Sequence, residues 1–279
     1  FVGVGSDDVL AVAFMTFFNG KKPIFFPDIT YSFYPVWAEL FGIPYEKKAV
    51  NAAFEIQKED YYAENGGVVF PNPNAPTGLL VSLDFIEEVL KSNPDSIVVV
   101  DEAYIDFGGQ TCVPLIDKYD NLVVIQTFSK SRSFAGARLG VALGNKEAIS
   151  NLYDVKNSFN SYPVDYITQQ IGLASVLDSQ DMKEKCQKVI KTREYTKTKL
   201  KELGFVVPDS YANFVFVKHP EIDGEKLFLA LRQEGIIVRH WNKPLIDQYL
   251  RITIGTDQQM ERLFEFLEKC ITQQQREGE

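Results

Sequence analysis

Short apolar runs alternate with amphipathic stretches through the first half of the chain. The runs Pro23–Phe26, Gly67–Phe70, Ser96–Val100, Leu122–Gln126 and Leu139–Leu143 are rich in Val, Ile and Phe and nearly free of charge. Continuous apolar runs of this length predict strands buried on both faces. Between them, Val9–Phe18, Phe33–Phe41 and Leu83–Ser92 carry apolar residues at helical spacing. The alternation predicts an α/β fold, a mainly parallel sheet with helices on both faces. Ser6 before Asp7 and Asp8 reads as an N-cap with an acidic first turn, and Ser82 before Leu83 as a second N-cap.

The second half changes character. A lysine-rich helix is predicted over Met182–Leu203, closed by Gly204. Strands follow at Asn213–Lys218, Ile236–Arg239 and Leu250–Ile254, with a helix near Glu225–Glu234 and a last helix from about Gln258. This predicts a smaller C-terminal α+β domain over residues 171–279, after a large domain over residues 1–170. The Gln-rich tail Gln273–Glu279 is expected to fray. The chain opens at FVGVGSDD, without Met or a leader, as though inside a strand or loop. A preceding segment is therefore expected, part of the large domain.

Composition narrows the chemistry. The 279 residues carry 29 Lys and Arg against 38 Asp and Glu, a net charge of −9. Such a balance argues against nucleic acid or an anionic membrane as partner, yet leaves room for a small anion held by a few local cations. Apolar runs such as Val9–Phe14 fall far short of the roughly 20 residues of a membrane span. Cys112, Cys186 and Cys270 form no pair, which predicts reduced thiols and a cytoplasmic setting. His219 and His240 match no metal-ligand spacing, so no metal is expected and a histidine-based triad is disfavoured.

Ligands of open α/β sheets bind beyond the carboxyl ends of the strands. After SIVVV comes Asp101, in DEAY; after LVVIQ comes TFSK, ending in Lys130; after GVVF comes PNPNAPTG. Taken alone, Lys130 is a solvated lysine behind a strand. Its neighbours change that reading: Thr127, Ser129, Ser131 and Ser133, then Gly136, Arg138 and Gly140. Hydroxyls, small residues and one arginine suit a phosphate. A lysine beside a bound phosphate points to covalent chemistry with a carbonyl cofactor. Asp101 either caps the next turn or, as a buried acid, needs a cationic partner such as a protonated pyridine nitrogen. Tyr104 either packs on the sheet or donates its phenol to a ring oxygen. Gly3–Ser6 leads into a helix whose first N–H groups can cradle phosphate. Neither a dinucleotide fingerprint nor a P-loop pattern is present.

Eight motifs in order, GSDD (Gly5–Asp8), PDITYSFY (Pro27–Tyr34), NPNAPTG (Asn72–Gly78), DEAY (Asp101–Tyr104), TFSKS (Thr127–Ser131), GARLG (Gly136–Gly140), VRHWNKP (Val238–Pro244) and YLRITIGT (Tyr249–Thr256), span nearly the whole chain. Together they resemble the fold-type-I pyridoxal-phosphate enzymes, and among them the histidinol-phosphate aminotransferases. The resemblance implies pyridoxal 5′-phosphate as cofactor, with Lys130 binding its aldehyde and shuttling a proton. It implies that Asp101 pairs with the pyridine nitrogen, Tyr104 bonds the ring oxygen and Tyr31 stacks on the ring. It assigns the phosphate to Ser6, Asp7, Thr127, Ser129 and Arg138, and the anionic end of the substrate to Arg239 and Arg251. The implied reaction moves an amino group between L-histidinol phosphate and 2-oxoglutarate, in histidine biosynthesis, within a homodimer whose active site is shared. One position departs: the family's usual Asn before Pro is Ala75 here, and Asn74 is the candidate to compensate. An upstream arm of the family, which carries a tyrosine to the partner's cofactor phosphate, has no counterpart in the sequence. The same cofactor residues leave open an aromatic or broad-specificity aminotransferase, a phosphothreonine decarboxylase, and a non-catalytic cofactor-binding regulator module.

Overall fold

The computed structural model describes residues 1–277, with side-chain burial defined through residue 272. In chain order the elements are β1 (Val2–Gly3), α1 (Ser6–Phe17), β2 (Ile24–Pro27), α2 (Phe33–Phe41), β3 (Tyr45–Lys48), β4 (Gly67–Pro71), α3 (Leu83–Ser92), β5 (Val98–Asp101), β6 (Leu122–Thr127), β7 (Gly140–Gly144), α4 (Lys146–Phe159), α5 (Tyr166–Leu177), α6 (Ser179–Glu202), β8 (Phe214–Val217), α7 (Gly224–Gln233), β9 (Arg239–His240), β10 (Leu250–Thr253) and α8 (Asp257–Glu277). Seven strands form one sheet in the order β1-β7-β6-β5-β4-β2-β3. From β3 to β6 all neighbours are parallel; β7 runs antiparallel to β6, and β1 antiparallel to β7. The fold is the mainly parallel α/β arrangement that the strand-helix alternation predicts, with a three-stranded antiparallel sheet, β8-β10-β9, behind it.

Side-chain alternation explains why the central strands read as unbroken apolar runs. Val68, Phe70, Val98, Val100, Leu122 and Val124 pack on one face against Ile86, Val89 and Leu90 of α3. Val69, Val99, Val123 and Ile125 pack on the other, against α1, α2 and α4 through Val9, Phe14, Trp37 and Leu152. Each fully buried aliphatic side chain contributes roughly 1.5–3 kcal/mol. The strands that end at the site are thus firmly held on both faces. The small sheet has its own core, Val215, Val217, Leu250 and Ile252 against Leu227, Leu231, Met260 and Phe264. Its opposite face sends Phe216 into the core beneath the large sheet, where it stacks on Tyr249 at 4.5 Å.

Several expectations are corrected. Ser6 is not an N-cap: α1 starts at Ser6, and Gly5, at φ +87°, holds the cap position without any side-chain bond. Ser82 does cap α3, accepting from the Phe85 N–H. Ile236–Val238 is not strand, because the Ile236 N–H bonds back to the Leu231 carbonyl and closes α7 beyond Gly235. Pairing on that side is limited to Arg239 and His240. The strand β3, with the polar sequence YEKK at the sheet edge, and the helices α4 and α5 lie where no element is predicted. The tail is helical in backbone to Glu277; its last two residues and the side chains from Gln273 on lie outside the described residues. Among the described residues no helix is long and apolar enough to cross a membrane, and no group of three metal-binding side chains occurs.

Candidate active site

Parallel register sets the site. Pro71 pairs with Asp101, and Asp101 with Ile125, so β4, β5 and β6 end on one edge of the sheet. Beyond that edge opens a cleft of about 640 Å³, mouth included. Ser6, Asp7, Tyr31, Asp101, Tyr104, Ser129, Lys130 and Arg138 all line it, with Leu10, Pro71, Ala75, Ala103 and Ala135. Eight of the twelve residues singled out from the sequence therefore face one space.

The start of α1 forms one wall. Gly140 on β7 lets the turn before α1 come close: a Cβ there would lie 2.5 Å from the Ser6 nitrogen. Gly5 suits its place through its positive φ of +87°, which side chains rarely adopt. Arg138 itself has φ +54°; its Nη1 bonds the Ala135 carbonyl, and its Nη2 lies 4.0 Å from Asp7 Oδ2. An uncapped helix start, with the arginine and the Ser129 hydroxyl nearby, gives a concave set of donors suited to a phosphate.

Asp101 forms the floor. It is 5% exposed, with Oδ2 accepting from the Tyr34 hydroxyl at 3.0 Å and Oδ1 from the Ala103 N–H at 3.2 Å. Burial pushes its carboxyl up to about 6, against the pull of Tyr34, Ala103 and Lys130; Asp7 pushes the same way as burial. A cation in the cleft would find an acceptor already oriented. Lys130 extends from the loop after β6, its Nζ 5.5 Å from the centre of the Tyr104 ring. Tyr104 stands edge-on to Phe214 of β8, 5.1 Å away. Tyr31 donates to Asp7 Oδ1 at 2.8 Å, and burial followed by that bond raises its phenol above the usual range. Aldehyde-reactive amine, buried acid, phenol and phosphate cradle thus fit the group that the sequence motifs imply, pyridoxal phosphate.

Four singled-out residues lie outside the cleft lining. Asn74 is spent on the loop: its Nδ2 donates to the Ile29 carbonyl and its Oδ1 accepts from Thr30. Ala75, not Asn74, faces the cleft. The Thr127 hydroxyl accepts the Ser129 N–H and holds the turn that carries Lys130. Arg251 and Arg239 pair across β10 and β9. Both guanidinium groups lie over Trp241, at 5.6 and 5.5 Å, and Arg251 also over Phe214 at 4.9 Å. Burial, then the Arg239 charge, lowers the Arg251 pKa, while Tyr104 and Tyr31 raise it; its contact with Phe214, which Tyr104 meets edge-on, places this arginine beside the cleft. Tyr34, the direct partner of Asp101, is missed by sequence reasoning, although it lies inside the PDITYSFY motif; its apolar helical position reads simply as core.

The profile of the aminotransferase class I and II family matches residues 1–267. A histidinol-phosphate aminotransferase of Lactococcus lactis subsp. lactis is 59% identical over 266 residues, covering 95% of this chain and 74% of the relative. Among solved structures, the histidinol-phosphate aminotransferase of Clostridium acetobutylicum superposes with a TM-score of 0.90 at 23% identity, over 98% of this chain and 84% of that one. That of Sinorhizobium meliloti, in complex with pyridoxal-5′-phosphate, gives 0.87 at 20% identity, over 98% and 76%.

Proposed function

The chain belongs to the aminotransferase class I and II family, and from that premise we propose that it transfers the amino group of L-histidinol phosphate to 2-oxoglutarate, using pyridoxal phosphate. The observation that carries this reading is the convergence of Lys130, Asp101, Tyr104 and Arg138 on one cleft, in a chain 59% identical to a histidinol-phosphate aminotransferase.

When bound, pyridoxal phosphate supplies an electron sink for charge developing at the substrate Cα. The protein does the rest. Lys130 would hold the cofactor through its Nζ, and its free amine would take the substrate Cα proton and deliver it to the cofactor's carbon two bonds away, as base and then acid. Asp101 would pair with the ring nitrogen and favour its protonated form. Its prior burial and orientation mean little reorganisation during reaction. Tyr104 donates to the ring oxygen and Tyr31 covers one ring face. The Ser6 and Asp7 N–H groups, Ser129 and Arg138 hold the phosphate. Asn74 and Thr127 support loops rather than the cofactor. Arg251 and Arg239 receive the anionic end of each substrate in turn, so amino donor and oxo acceptor use one site alternately.

Two further readings complete the proposal. The protein acts as a homodimer: α5 exposes Tyr166, Ile167, Leu173 and Leu177 at 56–77%, an apolar surface of the kind that marks interfaces. It works in the cytoplasm, consistent with three free cysteines. The test is kinetic. The chain with pyridoxal phosphate is expected to convert histidinol phosphate and 2-oxoglutarate with kcat/KM well above that for phenylalanine. A preference for phenylalanine would point to an aromatic aminotransferase, and CO₂ release from threonine phosphate to a decarboxylase; either result overturns the substrate assignment.

A further inference from the structure

We propose that Tyr34 is a positioning residue for Asp101: its buried phenol donates to one carboxylate oxygen and so holds that group charged and turned toward the cleft. The inference rests on the cofactor reading above, because it gives Asp101 a ring nitrogen to serve.

The geometry leaves Tyr34 little choice. It lies in the first turn of α2 and is 0% exposed. Phe14 stacks on it at 6.1 Å, Phe26 and Tyr31 meet it edge-on at 5.9 and 5.8 Å, and Trp37 tilts against it at 6.3 Å. The ring cannot swing away without opening this cluster. A buried phenol must place its proton on an acceptor. Asp101 Oδ2, at 3.0 Å, is its hydrogen-bond partner among the described residues.

This one bond constrains the acid. A proton on Oδ2 would leave two hydrogens facing one another, or turn the phenol proton toward hydrocarbon. The Ala103 N–H makes the same demand of Oδ1. Both oxygens are therefore held as acceptors before any ligand arrives. The titratable groups facing the carboxylate are Tyr34 of α2, Asp7 of α1 and Lys130 beyond β6. Burial raises the acid most, and Tyr34 is the largest influence opposing it, ahead of Ala103 and Lys130. Tyr34 itself is held well above the usual phenol range, by burial first and then by Asp101, so it remains a donor.

The test uses the full chain with pyridoxal 5′-phosphate and the substitution Tyr34→Phe, which keeps the ring and removes the donor. Cofactor affinity is expected to fall about tenfold, the loss of one hydrogen bond to a charged group. The pH midpoint of the bound cofactor's visible band is expected to rise by about half a unit or more. A less firmly held carboxylate keeps less positive charge on the ring and leaves the Lys130 nitrogen more basic. In an Asp101→Asn background, Tyr34→Phe should produce no further shift. A purely structural tyrosine would lower the melting temperature of the cofactor-free chain and leave the midpoint alone. Should Tyr34→Phe fail to fold, 3-fluorotyrosine at position 34 keeps the shape and donates more strongly, and the midpoint should fall. A normal band with an unmoved midpoint overturns this inference alone. An equal shift without Asp101 does the same. Absence of any visible band in the unsubstituted chain overturns the cofactor reading and this inference with it.

Discussion

A buried acid in the floor of the cleft and a half-buried arginine beside it are held in opposite ways. Asp101 ends a strand of the large sheet and already has a donor on each oxygen, Tyr34 on one and Ala103 on the other. Arg251 lies on the small sheet against Phe214 and Trp241, and its Nε is buried without a hydrogen-bond partner among the described residues. A paired buried charge is organised in advance; a half-buried one with a donor still free can take a counter-ion. The difference suggests a division of labour. The large sheet carries groups that act on the reacting atoms, and the small sheet carries groups that a substrate anion satisfies on arrival.

The division is tested most severely at Lys130. Lys130→Ala is expected to lower kcat by about three orders of magnitude or more, since covalent attachment and proton transfer are lost together. Pre-steady-state measurement of the first half-reaction checks it. At Asp101, Asp101→Asn should reduce kcat by about a hundredfold, with a much smaller change in KM. The same substitution should flatten the pH dependence of the cofactor-free chain's stability. The carboxyl moves from 3.8 to about 6 on burial, so the folded chain keeps a proton in that window that the unfolded chain has lost. Stability of the wild type should therefore fall as pH rises from about 4 to about 6, and Asp101→Asn should remove that fall. Urea melts at pH 4 and pH 7 read it directly; equal pH dependence in both chains would contradict it.

Across the cleft the expected balance reverses. Arg251→Ala should raise KM for histidinol phosphate roughly tenfold to a hundredfold, with a smaller effect on kcat. Arg239→Ala should do less, because Arg239 is exposed. A kcat loss larger than the KM change at Arg251 would break the comparison. The smallest effect is expected at Ala75, which faces the cleft where the family commonly has Asn. Ala75→Asn should tighten pyridoxal phosphate binding by about 1 kcal/mol, roughly fivefold, seen in an equilibrium titration.

Much of this was legible in the sequence, and the exceptions have physical causes. The central strands announced themselves because both faces are buried, and Leu83–Ser92 because its apolar stripe and its Ser82 cap agree. The edge strand β3 did not: YEKK pairs on one side only, with two of its residues exposed. The helices α4 and α5 carry many exposed apolar residues, among them Tyr153, Ile167 and Leu177, which blurs the helical period. Asp101 and Lys130 were visible as polar residues closing apolar runs. Arg138 was visible among glycines. Tyr34 was not, because an aromatic at a core position looks like packing whether or not its hydroxyl has a task. Nor can spacing say which of two neighbours faces a cleft, and Ala75 rather than Asn74 does so because Asn74 is bonded to Ile29 and Thr30.

The central claim is that the amine of Lys130 carries the cofactor against Asp101. Borohydride reduction of the chain with pyridoxal phosphate, followed by peptide mapping, tests it most directly. The account predicts the phosphopyridoxyl mass on the peptide containing Lys130, and none there after Lys130→Ala. Label on a different lysine, or none in a chain that still transaminates, would contradict it.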